Sequence, residues 1–159
     1  MLPGTCLGRR YTGYQKGQLV EDKEKDEKMS RTDLVADALT MIRNAIMAKK
    51  ENLDVPASGT LKSILEILKS EGYIDNFKFI EDKKQGILRV YLKYLSGKPA
   101  IKNIRRISRP GLKVYVKRHK VPTVLRGRGL AIMSTSKGIM TDTQARTQGL
   151  GGEIMAQVW

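Results

Sequence analysis

Between Lys98 and Lys137 the chain carries no aspartate or glutamate, although twelve lysines and arginines fall in that run. A basic face kept only for solubility would ordinarily mix signs. The absence therefore points to a polyanionic partner, nucleic acid first. An anionic membrane surface suits the charge less well, because no basic amphipathic helix accompanies it. Other scarcities narrow the field. The single cysteine, Cys6, supports neither a disulfide framework nor a cysteine-based metal site. The single histidine, His119, sits among Lys117, Arg118 and Lys120, which suits a plain surface role. No cluster has metal-ligand spacing, and no apolar run is long enough to span a membrane. Residues 1–20 hold Arg9, Arg10 and Lys16 without an acid, but they lack the continuous apolar stretch of a secretory signal; organelle targeting stays open. Ser134 and Ser136 could each be proposed as a nucleophile, but no base partner is evident for either. These absences argue against an enzyme, and no cofactor is implied.

What is present reads as globular. Of 159 residues, 40% are hydrophobic and 29% charged, with 30 Lys and Arg against 16 Asp and Glu. Residues 1–28 read as a disordered extension: glycines interrupt their first half, and Glu21 to Lys28 is all charge, leaving little apolar area to offset ordering entropy. Met29 is a candidate start of the functional chain. Residues 29–97 then read as an N-terminal α/β lobe and 98–159 as a basic, mostly β lobe that binds RNA. The expected class is α+β, with two helices on a short sheet in the first lobe and antiparallel strands with one short helix in the second.

In the first lobe a helix is expected from about Ser30 or Thr32, either of which can cap it, with Asp33 in its first turn. Leu34, Ala38, Met41, Ile42, Ala45 and Ile46 recur at helical spacing as its buried stripe. Arg43 and Asn44 lie beside that stripe; Arg43 suits either a surface acid or a phosphate. Asn52 to Val55 is extended and ends at Pro56. Ser58 can cap a second helix carrying Leu61, Ile64, Leu65 and Leu68, which Gly72 closes. Tyr73–Ile80 and Ile87–Tyr94 form a candidate hairpin across residues 81–86. Their aromatics suit a sheet face beneath helices better than a stacking platform for bases.

In the second lobe Arg109-Pro110-Gly111 is a turn. Leu112, Val114 and Val116 alternate with Lys113, Tyr115 and Lys117, as in a strand with one basic face. Residues 121–125 suit a short helix. The stretch from Leu130 to Met140 holds Ser134-Thr135-Ser136-Lys137-Gly138 between apolar flanks. Packing can hold those flanks while the middle presents hydroxyls, backbone N–H groups and a cation to phosphate, ribose or a base edge. A plain polar turn is the alternative, and the loop lacks the spacing of a P-loop. Thr141 with Gln144 makes a capping box for a short helix to Gln148. Gly151-Gly152 then turns the chain into a final strand, Glu153–Trp159. Glu153 is placed to orient a loop hydroxyl or a base amino group. Arg105, Arg106, Arg109, Lys113, Lys117, Arg118, Lys120, Arg126 and Arg128 are the candidate phosphate contacts.

Ser134 to Asp142, followed by Ala145-Arg146 and Gly149-Leu150-Gly151-Gly152-Glu153, resembles the small ribosomal subunit protein eight family. Asp33, Asp37, Ile42-Arg43-Asn44, Glu71-Gly72-Tyr73-Ile74 and Ser108-Arg109-Pro110-Gly111 support the resemblance, which runs from about Met29 to Trp159. It implies two small α/β lobes and a structural role in the ribosome. It also implies binding to the central domain of small-subunit rRNA early in 30S assembly, beside neighbouring small-subunit proteins. Ser134, Thr135, Ser136, Lys137 and Gly138 match the main RNA-contacting loop, and Glu153 an acid beside it. Asp33, Arg43, Asn44 and Ser58 match positions near a secondary contact. Some members bind their own operon mRNA and repress its translation. The implied location is cytoplasmic, with an organellar ribosome left open. Three departures stand out: Leu61 where the family usually has lysine, Ala156-Gln157 where a cysteine and an aromatic are common, and the extension 1–28. The alternative from another class is a basic scaffold that docks an acidic protein without reading RNA.

Overall fold

The computed structural model describes residues 33–81 and 86–159. The 1–28 extension, Cys6, the proposed caps Ser30 and Thr32, and residues 82–85 lie outside the described residues. Helix α1 (Leu34–Met47) is capped by Asp33 itself, whose carboxylate accepts from the N–H groups of Val35 and Ala36 at 3.1 Å each. Asp33 is thus the cap and not a first-turn residue, because its side chain reaches the orphan donors directly. The buried stripe is Val35, Ala38, Leu39, Ile42 and Ala45. Leu34 is only half-buried and Met41 exposed, so the stripe is rotated toward Val35 and Leu39 from the one the spacing suggested.

Strand β1 (Asn52–Pro56), helix α2 (Gly59–Ser70), and strands β2 (Ile74–Ile80) and β3 (Ile87–Leu92) complete the first part. The sheet is antiparallel in the order β1–β3–β2. Leu61, Ile64, Leu65 and Leu68 of α2 are fully buried against Val55, Leu88 and Val90. Ser58 sits at the cap position of α2 but makes no side-chain cap bond. Phe77 and Phe79 lie opposite Val90 and Leu88, hence on the helix-covered face. Tyr91 lies on the other, beneath Lys78. The aromatics are divided between the faces and form no common platform. On the open face Arg89 grips Asp54 through two bonds of 2.7 and 2.8 Å. Those bonds hold the Asp54 carboxyl below its usual pKa.

A short ribbon, β4 (Tyr94–Leu95) with β5 (Lys98–Pro99), leads into the second sheet. Its strands are β6 (Ile104–Arg106), β7 (Tyr115–Val116), β8 (Leu130–Thr135), β9 (Gly138–Thr141) and β10 (Gly152–Val158). The order is β6–β10–β8–β9, with β7 also paired to β10. Helix α3 (Asp142–Thr147) has the expected Thr141–Gln144 capping box and covers Met133 and Met140. The opposite face supplies Ile104, Leu130, Ile132, Ala156 and Val158 to the same apolar cluster that α1, α2 and β3 build. One core therefore joins the two sheets.

Two expectations for the basic segment are corrected. Of the strand expected from Leu112 to Lys117, only Tyr115–Val116 forms a strand, while Leu112, 69% exposed, bridges back to Arg109. No continuous helix spans 121–125. One 3-10 turn occupies Arg118–Lys120 and a second Val124–Gly127, where Leu125 and Arg126 adopt left-handed conformations (φ 45° and 56°) that interrupt it.

Because the core is continuous, Leu65→Ala on helix α2 and Ile132→Ala in the second sheet should each cost about 2–5 kcal/mol. Both should shift one cooperative denaturant transition; two separable transitions would contradict the shared core. The Asp54 contribution is present at neutral pH and lost as pH falls through its lowered folded-state pKa. Its titration followed by NMR should move upward in Arg89→Ala, while global stability changes little because the pair is exposed.

Candidate nucleic-acid interface

The stretch Ser134–Gly138 is the tip of the β8–β9 hairpin. Thr135 pairs with Gly138, leaving Ser136 and Lys137 as the turn. Gly138 has φ 115°, a conformation that residues with a side chain rarely adopt. The three hydroxyls do not play equal parts. Thr135 Oγ1 donates to the Gly138 carbonyl at 2.9 Å and accepts from the Lys137 N–H at 3.2 Å. That hydroxyl braces the turn. Ser136, Lys137 and Gly138 are exposed, and Ser134 is half-buried. Met133 and Met140 anchor the hairpin below.

Glu153 lies beside the hairpin on β10, in register with Ser134 on one side and Tyr115 on the other. Residues so paired project from the same face, which places Tyr115, Glu153 and Ser134 in one row. The partner that orients Glu153 is Ser108, fully buried, whose Oγ donates to Glu153 Oε1. Lys113 Nζ stands 4.0 Å from the other oxygen. Glu153 therefore engages Ser108 and not a hydroxyl of the hairpin tip. Ser108 was missed as a site residue: its partner is 45 positions away, and only its place before Arg109-Pro110-Gly111 hinted at a role. The Gly151-Gly152 pair is likewise more than a turn. A Cβ on Gly152 would meet the Ser134 carbonyl oxygen at 2.2 Å, so β10 can lie against β8 at this point only without a side chain.

The other expected residues fall into two groups. Arg109, Lys113, Arg126 and Arg128 are exposed, as are Arg105, Lys117, Arg118 and Lys120. Asn44 is exposed on α1, and half-buried Ser58 lines a shallow apolar pocket with Lys62 and Phe79. Arg43, Asp33 and Arg106 are held internally. Arg43 donates to the Ile104 carbonyl from Nε at 3.2 Å and from a terminal nitrogen at 2.5 Å. It therefore links α1 to β6 through a backbone oxygen and not through an acid. Arg106 Nε stands 3.4 Å from Asp33 Oδ2, both side chains mostly buried. Neither atom has an aligned hydrogen bond among the described residues, so the pairing is ionic. Among the described residues no helix is long and apolar enough to cross a membrane.

The family described as Ribosomal protein S8 matches residues 33–159. The chain belongs to that family. The small ribosomal subunit protein uS8 of Geobacillus kaustophilus is 56% identical over 132 residues, covering 82% of this chain and all of the relative. Those of Streptococcus suis and Streptococcus uberis are 56% and 57% identical over the same length, again 82% of this chain and all of each relative. A ribosomal protein family of this kind is structural and not enzymatic.

Two of the departures from the family pattern acquire a location. Leu61 is wholly buried in the core beneath α2, so its side chain cannot replace a lysine at the surface; neighbouring Lys62 is exposed. Ala156 is also wholly buried, within the shared core and away from the hairpin tip, and half-buried Gln157 pairs with Arg105 and Ala131.

Gly152→Ala should destabilise the protein by about 1–3 kcal/mol through overpacking against β8. It should also perturb the backbone amide resonances of Ser134 and Thr135. An unchanged denaturation midpoint would show that the two strands can separate without penalty.

Proposed function

We propose that the chain is a structural RNA-binding component of the small ribosomal subunit that seats on the central domain of small-subunit rRNA during 30S assembly. The carrying observation is a hairpin tip, Ser136-Lys137-Gly138, braced by the Thr135 hydroxyl, whose Lys137 is one of eleven exposed lysines and arginines with no acid between residues 98 and 137. The segment 98–159 does the binding. Its cations draw the polyanion in and release counterions, and the tip provides placement. Ser136 and Lys137 reach the sugar–phosphate backbone or a base edge, while Thr135 keeps the turn in shape. Small hydroxyl residues on a stiff turn suit RNA, whose 2′-OH groups and splayed bases are read at short range. Glu153, held by Ser108, offers an acceptor to a base amino group in the same row as Ser134. Neighbouring small-subunit proteins, in the cytoplasmic ribosome, are the protein partners in this reading. The same surface would take an RNA element in the chain's own operon mRNA if that element mimics the rRNA site.

Ser136→Ala and Lys137→Ala should each weaken binding of a central-domain rRNA fragment in a filter-binding titration, with Lys137→Ala lowering the salt slope by about 0.7–0.9. Unchanged affinity in both variants would overturn the assignment of the tip. If ribonuclease treatment leaves the partners of the native complex bound, the reading gives way to a protein scaffold.

A further inference from the structure

Among the described residues, strand β2 is an edge of the first sheet, which runs in the order β1–β3–β2. Its far end leaves two large apolar side chains in solvent, Phe79 at 52% and Ile80 at 38% exposure. An open strand edge with exposed apolar side chains is a liability in a free protein and an asset to one that binds there. Phe79 also lines a pocket of about 330 Å³, together with Ala57, Ser58, Gly59, Lys62 and Leu88. The pocket is formed before anything enters it. Leu88 belongs to the core, and the Phe79 ring lies against Gly86, where a Cβ would stand 2.6 Å from it. Gly86 in turn accepts from the Ala57 N–H at 3.0 Å. Gly59 contributes no side chain, and a Cβ there would meet nothing within 4 Å. Lys62 is the one charged residue in the lining. Among the described residues it forms no ion pair, not even with Glu66 one helical turn on. Lys78 in the middle of the strand is exposed and is paired with no acid there either. The strand's acids are Asp75 near its start and Glu81 just past its end.

We propose that this edge and pocket form a docking site for an extended, acidic segment of a partner protein. The segment adds one more strand beside β2, and one of its apolar side chains enters the pocket against Phe79 and Leu88. Backbone bonds along the edge supply affinity, and the pocket selects the side chain. Carboxylates flanking that side chain pair with Lys62 and Lys78, which the protein's own acids leave unengaged. A ready-made pocket lowers the ordering cost of the encounter. The chemistry favours a polypeptide over RNA. A sheet edge offers its N–H and C=O groups to another backbone, and the pocket takes an apolar group that a phosphodiester chain lacks. The site lies outside the acid-free run 98–137 and does not rest on the RNA reading above.

In the full chain, a capped heptapeptide alternating glutamate and leucine should shift the β2 backbone amides and the Phe79 ring resonances saturably. A version with proline at its centre, which removes a backbone donor, should bind more weakly, as should one alternating lysine and leucine. Lys62→Glu should weaken the glutamate peptide about tenfold and strengthen the lysine peptide, as expected for reversing one rim charge. Gly59→Leu should fill the pocket and weaken the peptide by about tenfold or more. Its denaturation midpoint should not fall, because leucine is the better helix former. No saturable shift, or equal affinity in Gly59→Leu and wild type, overturns the site. If the same resonances move with protein concentration alone and the peptide does not compete, the occupant is a second copy and the partner proposal falls. It falls equally if a central-domain rRNA fragment shifts them and Gly59→Leu weakens that RNA. If the peptide fails while Ser136→Ala and Lys137→Ala still weaken RNA binding, this site alone is lost and the proposed function stands.

Discussion

The second sheet depends on the absence of one side chain. Gly152 lets β10 approach β8 so closely that the Ser134 carbonyl occupies the space a Cβ would need. From that contact β10 runs between β6 and β8. Its buried residues Ala156 and Val158 enter the core that α1 and α2 also build. Helix packing, strand register and the hairpin's position are therefore not independent. The hydrophobic surface of two amphipathic helices and two sheets is removed from water in one cluster, which is the main favourable term available to a chain of this size. The close approach at Gly152 carries that rigidity out to the Ser134–Gly138 tip.

The tip illustrates how a small polar loop can be stiff without a core of its own. Its Thr135 hydroxyl satisfies a backbone donor and a backbone acceptor of the turn, and two methionines hold its flanks below. What remains outward is Ser136, Lys137 and the backbone around Gly138. Such pre-organisation reduces the ordering cost a partner must overcome. The basic residues upstream add long-range attraction and are mostly on turns, where no packing demand competes with solvent exposure. Charge and shape are thus carried by different parts of the same segment.

The acids around the proposed binding surface are few and each is held. Glu153 accepts from buried Ser108. Asp142 is buried and paired with Arg146 one helical turn on. Asp33 caps α1 and faces Arg106. An acid that is already engaged repels a polyanion less than a free one would. It can also set the geometry of the cation beside it. In this way a net charge of +14 coexists with an ordered surface.

Much of this was legible in the residues themselves. The apolar face of α2, the Thr141–Gln144 capping box, the hairpin of β2 and β3 and the acid-free basic run follow from local periodicity, capping chemistry and composition. The run from Ser134 to Asp142, with Ala145-Arg146 and Gly149 to Glu153, suggested the family to which the chain belongs. What the sequence could not supply were relations over long separations. Ser108 meets Glu153, Arg43 meets the Ile104 carbonyl, and Asp33 meets Arg106 only once the sheets share a core. Leu112 looked like part of a strand because alternation is a local signal, yet pairing depends on whether β10 extends alongside. Residues 121–125 looked helical because propensity does not reveal the left-handed conformation that Leu125 adopts. Local chemistry was determined by the sequence; which acid restrains which arginine, and which hydroxyl faces outward, was decided by tertiary packing, because those contacts exist only between segments that the core brings together.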